Sequence, residues 1–108
     1  MQYGLSDQTL KKIRDVLVRY PQVEEAVLYG SRARGDYKNG SDIDLTLRGG
    51  DALTHTILSR IANDLDDQLL PYTIDLSIFG NIRNSEMVEQ IKRVGIAFYK
   101  KQDFQSTQ

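Results

Sequence analysis

From Asp42 to Leu47 the chain alternates without a break between polar and aliphatic residues. Successive side chains of a strand point to opposite faces, so Asp42, Asp44 and Thr46 share one face while Ile43, Leu45 and Leu47 enter a core. This pattern predicts a half-buried strand, Asp42 to Arg48, that displays two acids side by side. Tyr72 to Phe79 repeats it, with Ile74, Leu76 and Ile78 inward and Thr73, Asp75 and Ser77 on the opposite face. If the two strands are neighbours, Asp75 joins Asp42 and Asp44 on one surface.

The remaining segments read around this pair. Leu10, Ile13, Leu17 and Tyr20 recur at helical spacing after Ser6, a good N-cap, and Pro21 ends that helix. Ala26-Val27-Leu28-Tyr29 is a short apolar run within Val23 to Tyr29 and predicts a buried strand closed by Gly30. Gly30-Ser31 is then a strand-to-helix turn, with a short helix to about Tyr37 and a turn over Lys38-Asn39-Gly40-Ser41. After the Gly49-Gly50 break, Asp51 is expected to cap a helix over Ala52 to Leu69, carrying Leu53, Ile57, Leu58, Ile61, Leu65 and Leu69 as its apolar stripe. Pro71 stops it. Glu86 to Val94 predicts a last helix with Met87, Val88, Ile91 and Val94 inward and Gly95 as a left-handed cap. Ile96 to Tyr99 forms a short terminal strand or apolar plug. The order implies an α/β (α+β) domain with a small mixed sheet, helices mainly on one face and the other face free for substrate and partner.

At 108 residues such a domain has no room for a separate substrate-binding domain. We expect one domain over residues 1–100 and a polar, frayed tail over 101–108. Hydrophobic residues at 40% and charged residues at 27% fit ordinary globular usage. No apolar run approaches the roughly 18 residues of a spanning helix, and the start lacks the features of a signal peptide, so no membrane role and a cytoplasmic location are expected. Zero cysteines and a single histidine, His55, leave metal chemistry to oxygen ligands. His55, off the apolar stripe of its helix, reads as an exposed bystander. The net charge of −1 gives no general attraction to nucleic acid, so binding to it is possible only through local patches and is not favoured.

The chemistry concentrates between residues 30 and 44. Two carboxylates separated by one strand residue repel each other unless a cation lies between them. Magnesium takes one or two carboxylates together with substrate phosphates, which suits Asp42 and Asp44. Asp75 would complete a site for two ions and act as the general base toward an acceptor hydroxyl. Gly30 lets the backbone approach phosphate, Ser31 adds a hydroxyl donor, and Arg32 and Arg34 can neutralise a triphosphate or its pyrophosphate leaving group. Tyr29 and Tyr99, each ending an apolar run, read as packing residues.

The string Gly30-Ser31-Arg32-Ala33-Arg34-Gly35, running on to Ser41-Asp42-Ile43-Asp44-Leu45, resembles the signature of the minimal nucleotidyltransferases of the polymerase β superfamily. The family's third acid lies on a later strand, as Asp75 does. The resemblance implies the nucleotidyltransferase fold and magnesium-dependent transfer of a nucleotide from an NTP, with ATP as substrate. Minimal members are typically encoded beside HEPN-domain partners as toxin–antitoxin pairs, so it also implies an antitoxin that adenylylates its partner, usually on a tyrosine. The extra domain of larger relatives such as kanamycin nucleotidyltransferase is not expected here, which speaks against a free small-molecule acceptor. Two other readings stand beside this one: a docking module that neutralises its partner while merely holding nucleotide, and transfer to a small hydroxyl compound or an RNA end.

Overall fold

The alternating segments become adjacent strands. In the computed structural model, which describes residues 1–104, Ile43–Arg48 (β2) and Ile74–Ile78 (β3) pair in parallel. On its other edge β2 pairs antiparallel with Glu25–Tyr29 (β1), and β1 pairs antiparallel with Ile96–Lys100 (β4). The sheet is therefore mixed, in the order β3-β2-β1-β4. Asp7–Val18 (α1) and His55–Asp66 (α3) cover one face of it. Ser31–Arg34 (α2) is a single turn between β1 and β2, Ser85–Val94 (α4) follows a 3₁₀ turn at Phe79–Asn81, and Lys101–Phe104 (α5) closes the described chain. Of the expected frayed tail, residues 101–104 form this helical turn and 105–108 lie outside the described residues.

The core lies between the sheet and the α1/α3 layer. Ile13, Leu17, Leu28, Ile43, Leu45, Leu47 and Ile61 are fully buried there, as the two periodicities require. Each such side chain contributes about 1.5–3 kcal/mol by leaving water. Ser6 caps α1, its side chain accepting from the Thr9 amide at 3.1 Å.

Four local expectations change. Helix α3 starts at His55, because Thr54 rather than Asp51 provides the cap, accepting from the Ile57 amide. Leu53 is still buried, from the preceding loop, whereas Leu69 lies beyond the helix with φ of 55° and its side chain exposed. Helix α2 ends at Arg34 instead of Tyr37, where Gly35 turns left-handed at φ 91°. Gly95 is not left-handed, its φ being −65°. The glycine serves close approach instead, since a Cβ there would lie 2.3 Å from the Ile91 carbonyl and 2.6 Å from Val27 Cγ1.

Helix α4 also alters the expected free face. Ile91 packs with Val27, Tyr29, Phe79 and Ile82 on the side opposite α1 and α3, so one helix covers part of that surface. Met87, expected in this seam, is exposed. Asp44 and Asp75 lie on β2 and β3, beside Tyr29, which packs against Ile91 of α4.

Candidate active site

The site forms where β1, β2 and β3 run side by side. Tyr29, the last residue of β1, is the strand partner of Asp44, and Asp44 is in turn the partner of Asp75. Residues paired across a ladder project from the same face, so the Tyr29 ring and the two carboxylates form one row across three strands. One step further along, Val27, Thr46 and Ser77 make the next row, in which the Ser77 hydroxyl donates to Thr46 Oγ1 at 2.9 Å. Asp42 is exposed and sits just before β2, where the Ile43 amide donates to the Thr73 carbonyl at 2.9 Å and joins the starts of β2 and β3.

Gly30 follows Tyr29 with φ of 75°, a conformation that disfavours any Cβ. A second constraint falls on the same atom: a Cβ at Gly30 would lie 2.2 Å from Asp44 Oδ2. The turn into α2 is thus pressed against the central acid. Its backbone closes by the Arg34 amide donating to the Gly30 carbonyl and the Gly35 amide donating to the Ser31 carbonyl. Ser31 is half-buried at the head of this turn.

Electrostatics follow from this crowding. Desolvation, then the charges of Asp75 and Asp42, push the Asp44 carboxyl above its ordinary pKa, and the Arg34 guanidinium pulls it partly back. Burial raises the Tyr29 phenol, as do Asp75 and Asp44, while a hydrogen bond with Ser77 acts in the opposite sense. Tyr29 is therefore a polar neighbour of the acids as well as a packed ring. Sequence reasoning missed this because the residue closes an apolar run; its position opposite Asp44 was the signal that could have found it.

The two arginines part company. Arg34 is exposed and pairs loosely with Asp36 at 3.4 Å, leaving it beside Asp44 in the electrostatic sense just given. Arg32 is 3% exposed. Its Nε and Nη2 donate to the Ser41 carbonyl at 3.1 and 2.8 Å, and its Nη1 donates to the Tyr3 carbonyl at 2.9 Å. His55 is exposed at the start of α3, away from these strands.

Among the described residues no three acidic or histidine side chains converge closely enough to form a complete metal cage. The chemistry of the donors nonetheless fits a divalent cation. Asp44 and Asp75 are adjacent, Asp44 is partly desolvated, and the like charges that raise its pKa are those a cation would relieve. Magnesium takes only one or two carboxylates from the protein and fills the rest of its shell with phosphate and water, so a full protein cage is not needed.

The end of β1, a glycine turn against an acid, and two acids in parallel register thus form one surface across β1, β2 and β3. Residues 11–104 match the family described as "Polymerase beta, Nucleotidyltransferase". The chain belongs to this family of nucleotidyltransferases, which places it in the transferase class. No curated protein sequence matches it. In fold it is similar to a chain of a toxin–antitoxin complex crystallised with AMP-PNP, at 23% identity and a TM-score of 0.69 over 87% of this chain and 75% of that one. It is also similar to a chain of the MntA–HepT toxin–antitoxin complex, with 20% identity, a TM-score of 0.65 and coverage of 91% and 75%. A third is a chain from the tri-AMPylated HEPN toxin of Shewanella oneidensis in complex with its MNT antitoxin, with 20% identity, a TM-score of 0.66 and coverage of 92% and 76%. Among the described residues no helix is long and apolar enough to cross a membrane.

Proposed function

We propose that this chain is a cytoplasmic, magnesium-dependent nucleotidyltransferase that moves AMP from ATP to a hydroxyl of a HEPN-domain partner, as the antitoxin of a toxin–antitoxin pair. Residues 1–100 act as one catalytic unit. The observation that carries the reading is the register pairing of Asp44 with Asp75 against the Gly30 turn. The partner is supported by the fold-level likeness to MNT antitoxins seen with HEPN toxins, one of them AMPylated.

The residues divide the work as follows. Asp42, Asp44 and Asp75 would hold magnesium, with room in the reading for two ions. When bound, the metal neutralises phosphate charge and polarises the α-phosphate. The Gly30-Ser31 turn brings amides and a hydroxyl to the phosphates without a side chain in the way. Asp75 accepts the proton of the acceptor hydroxyl as its oxygen bonds to the α-phosphorus and the bond to pyrophosphate breaks. Arg34, exposed and cationic next to Asp44, balances the charge of the departing pyrophosphate.

Co-expression with the HEPN-domain partner, followed by intact-mass and peptide mass spectrometry, tests the reading. The expected result is AMP added to a partner tyrosine. A partner that is neutralised yet unmodified would favour a docking module instead.

A further inference from the structure

Arg32 is a buried cation whose neighbours are carbonyls and rings. Among the described residues no carboxylate pairs with it; three of its five N–H donors serve the carbonyls of Ser41 and Tyr3. Its guanidinium also lies 5.1 Å from the Tyr37 ring centroid and 4.9 Å from that of Tyr72. These contacts tie α2 and the loop that follows it to Ser41 to two stretches distant in sequence, the turn at Tyr3-Gly4 and the approach to β3. Burying an arginine without an acid is costly, and so large an expense at one spot asks for a local reason.

The tie points have a common neighbour. Ser41 directly precedes Asp42, and Tyr72 precedes Thr73, whose carbonyl receives the Ile43 amide. Arg32 itself is two residues from Gly30, the residue pressed against Asp44. The turn at Gly4 is fitted equally closely to the clamp, since a Cβ there would lie 2.4 Å from Tyr37 Cε2 and 2.8 Å from Arg32 Nη1.

We propose that Arg32 is a positioning residue that fixes the Ser41 carbonyl, and so the backbone delivering Asp42 and Asp44 to the site, and that it makes no phosphate contact of its own. This deepens the functional reading above and rests on it for its consequence, though not for its geometry. A lysine keeps the charge but cannot hold one carbonyl with two N–H groups while reaching a second and stacking between two rings. Arg32→Lys therefore separates the two roles.

The test compares full-length native protein, Arg32→Lys and Gly4→Ala by amide hydrogen exchange without ligand and by calorimetry with ATP and magnesium. Expected is faster exchange at the Ser41 and Ile43 amides in both variants, with α3 amides unchanged. Magnesium-dependent ATP affinity should fall about 10- to 100-fold, the usual loss when the support of a metal ligand is removed. Native-like exchange with affinity kept within about twofold in Arg32→Lys would assign a charge contact to phosphate and overturn the proposal. Equal acceleration at α3 would reduce Arg32 to general stability and overturn it as well. If native protein binds ATP equally with and without magnesium, the proposed function falls, while the exchange comparison still decides the role of Arg32.

Discussion

Gly30 and Asp44 touch: the backbone at position 30 comes so close to the carboxylate that a Cβ would lie 2.2 Å from Oδ2. The contact joins the two halves of the site, the turn for phosphate and the strand acid for metal. Gly30→Ala must strain a backbone at φ 75° and push Asp44 aside at the same time. We predict a stability loss of about 1–3 kcal/mol by urea denaturation. Magnesium-dependent ATP binding should fall with it, whereas Gly40→Ala, at φ 83° with open space around it, should strain the backbone and leave binding intact.

Asp44 predicts a pH dependence of the metal-free fold. Its native pKa is raised, first by desolvation and then by Asp75 and Asp42, so the folded chain holds this proton to higher pH than the unfolded one. Stability linked to Asp44 is fully present below the ordinary carboxylate value and is lost as pH rises through the raised native one. Without magnesium, Asp44→Asn should remove that decline and leave stability near neutral pH unchanged or higher. Thermal melts of both proteins across the acidic range check this; a strongly destabilised variant would make Asp44 a structural hydrogen-bond acceptor.

Tyr29 offers a milder probe. Its phenol lies within electrostatic reach of Ser77 and of both acids, while its ring packs with Ile91 and Val27. Tyr29→Phe keeps the packing and removes the hydroxyl, so the stability change should be about 0.5–1.5 kcal/mol. A double-mutant cycle with Ser77→Ala should show coupling between the two sites, and additive losses would mean that the hydroxyl acts alone.

The legible parts of the sequence were those with local cause. Alternation announced β2 and β3 and the face on which Asp44 and Asp75 stand, and Ser6 announced the start of α1. What escaped depends on contacts between distant segments. Thr54 and Asp51 are both good caps; the helix starts after Thr54, with Leu53 buried from the preceding loop. Gly95 looked like a left-handed cap but is small because Val27 and the Ile91 carbonyl approach it. Arg32, placed next to a phosphate turn, reads from the sequence as a candidate phosphate contact. Its side chain reaches Tyr3, Tyr37, Ser41 and Tyr72, a set of neighbours that spacing along the chain cannot reveal.

Asp75 separates binding from chemistry. If Asp42 and Asp44 carry most of the metal–nucleotide contact and Asp75 mainly takes the acceptor proton, Asp75→Asn should keep much of the ATP affinity. Transfer to the partner should fall by about 10²- to 10⁴-fold, the usual cost of losing a general base. Rates from quenched time courses, set beside calorimetric affinities, would show the split; a parallel loss of both would make Asp75 a metal ligand first.

The most direct measurement is calorimetric titration of the full-length protein with ATP, with and without magnesium. Carboxylates and phosphates repel one another until a cation lies between them. Asp44, partly desolvated and next to the charges of Asp75 and Asp42, feels that repulsion at this site. Binding should be measurable only with the divalent ion, and the Asp42→Asn, Asp44→Asn double variant, still folded, should lose that dependence. Equal ATP affinity with and without magnesium, or native magnesium dependence in the double variant, would contradict the assignment of these acids to a metal–nucleotide site.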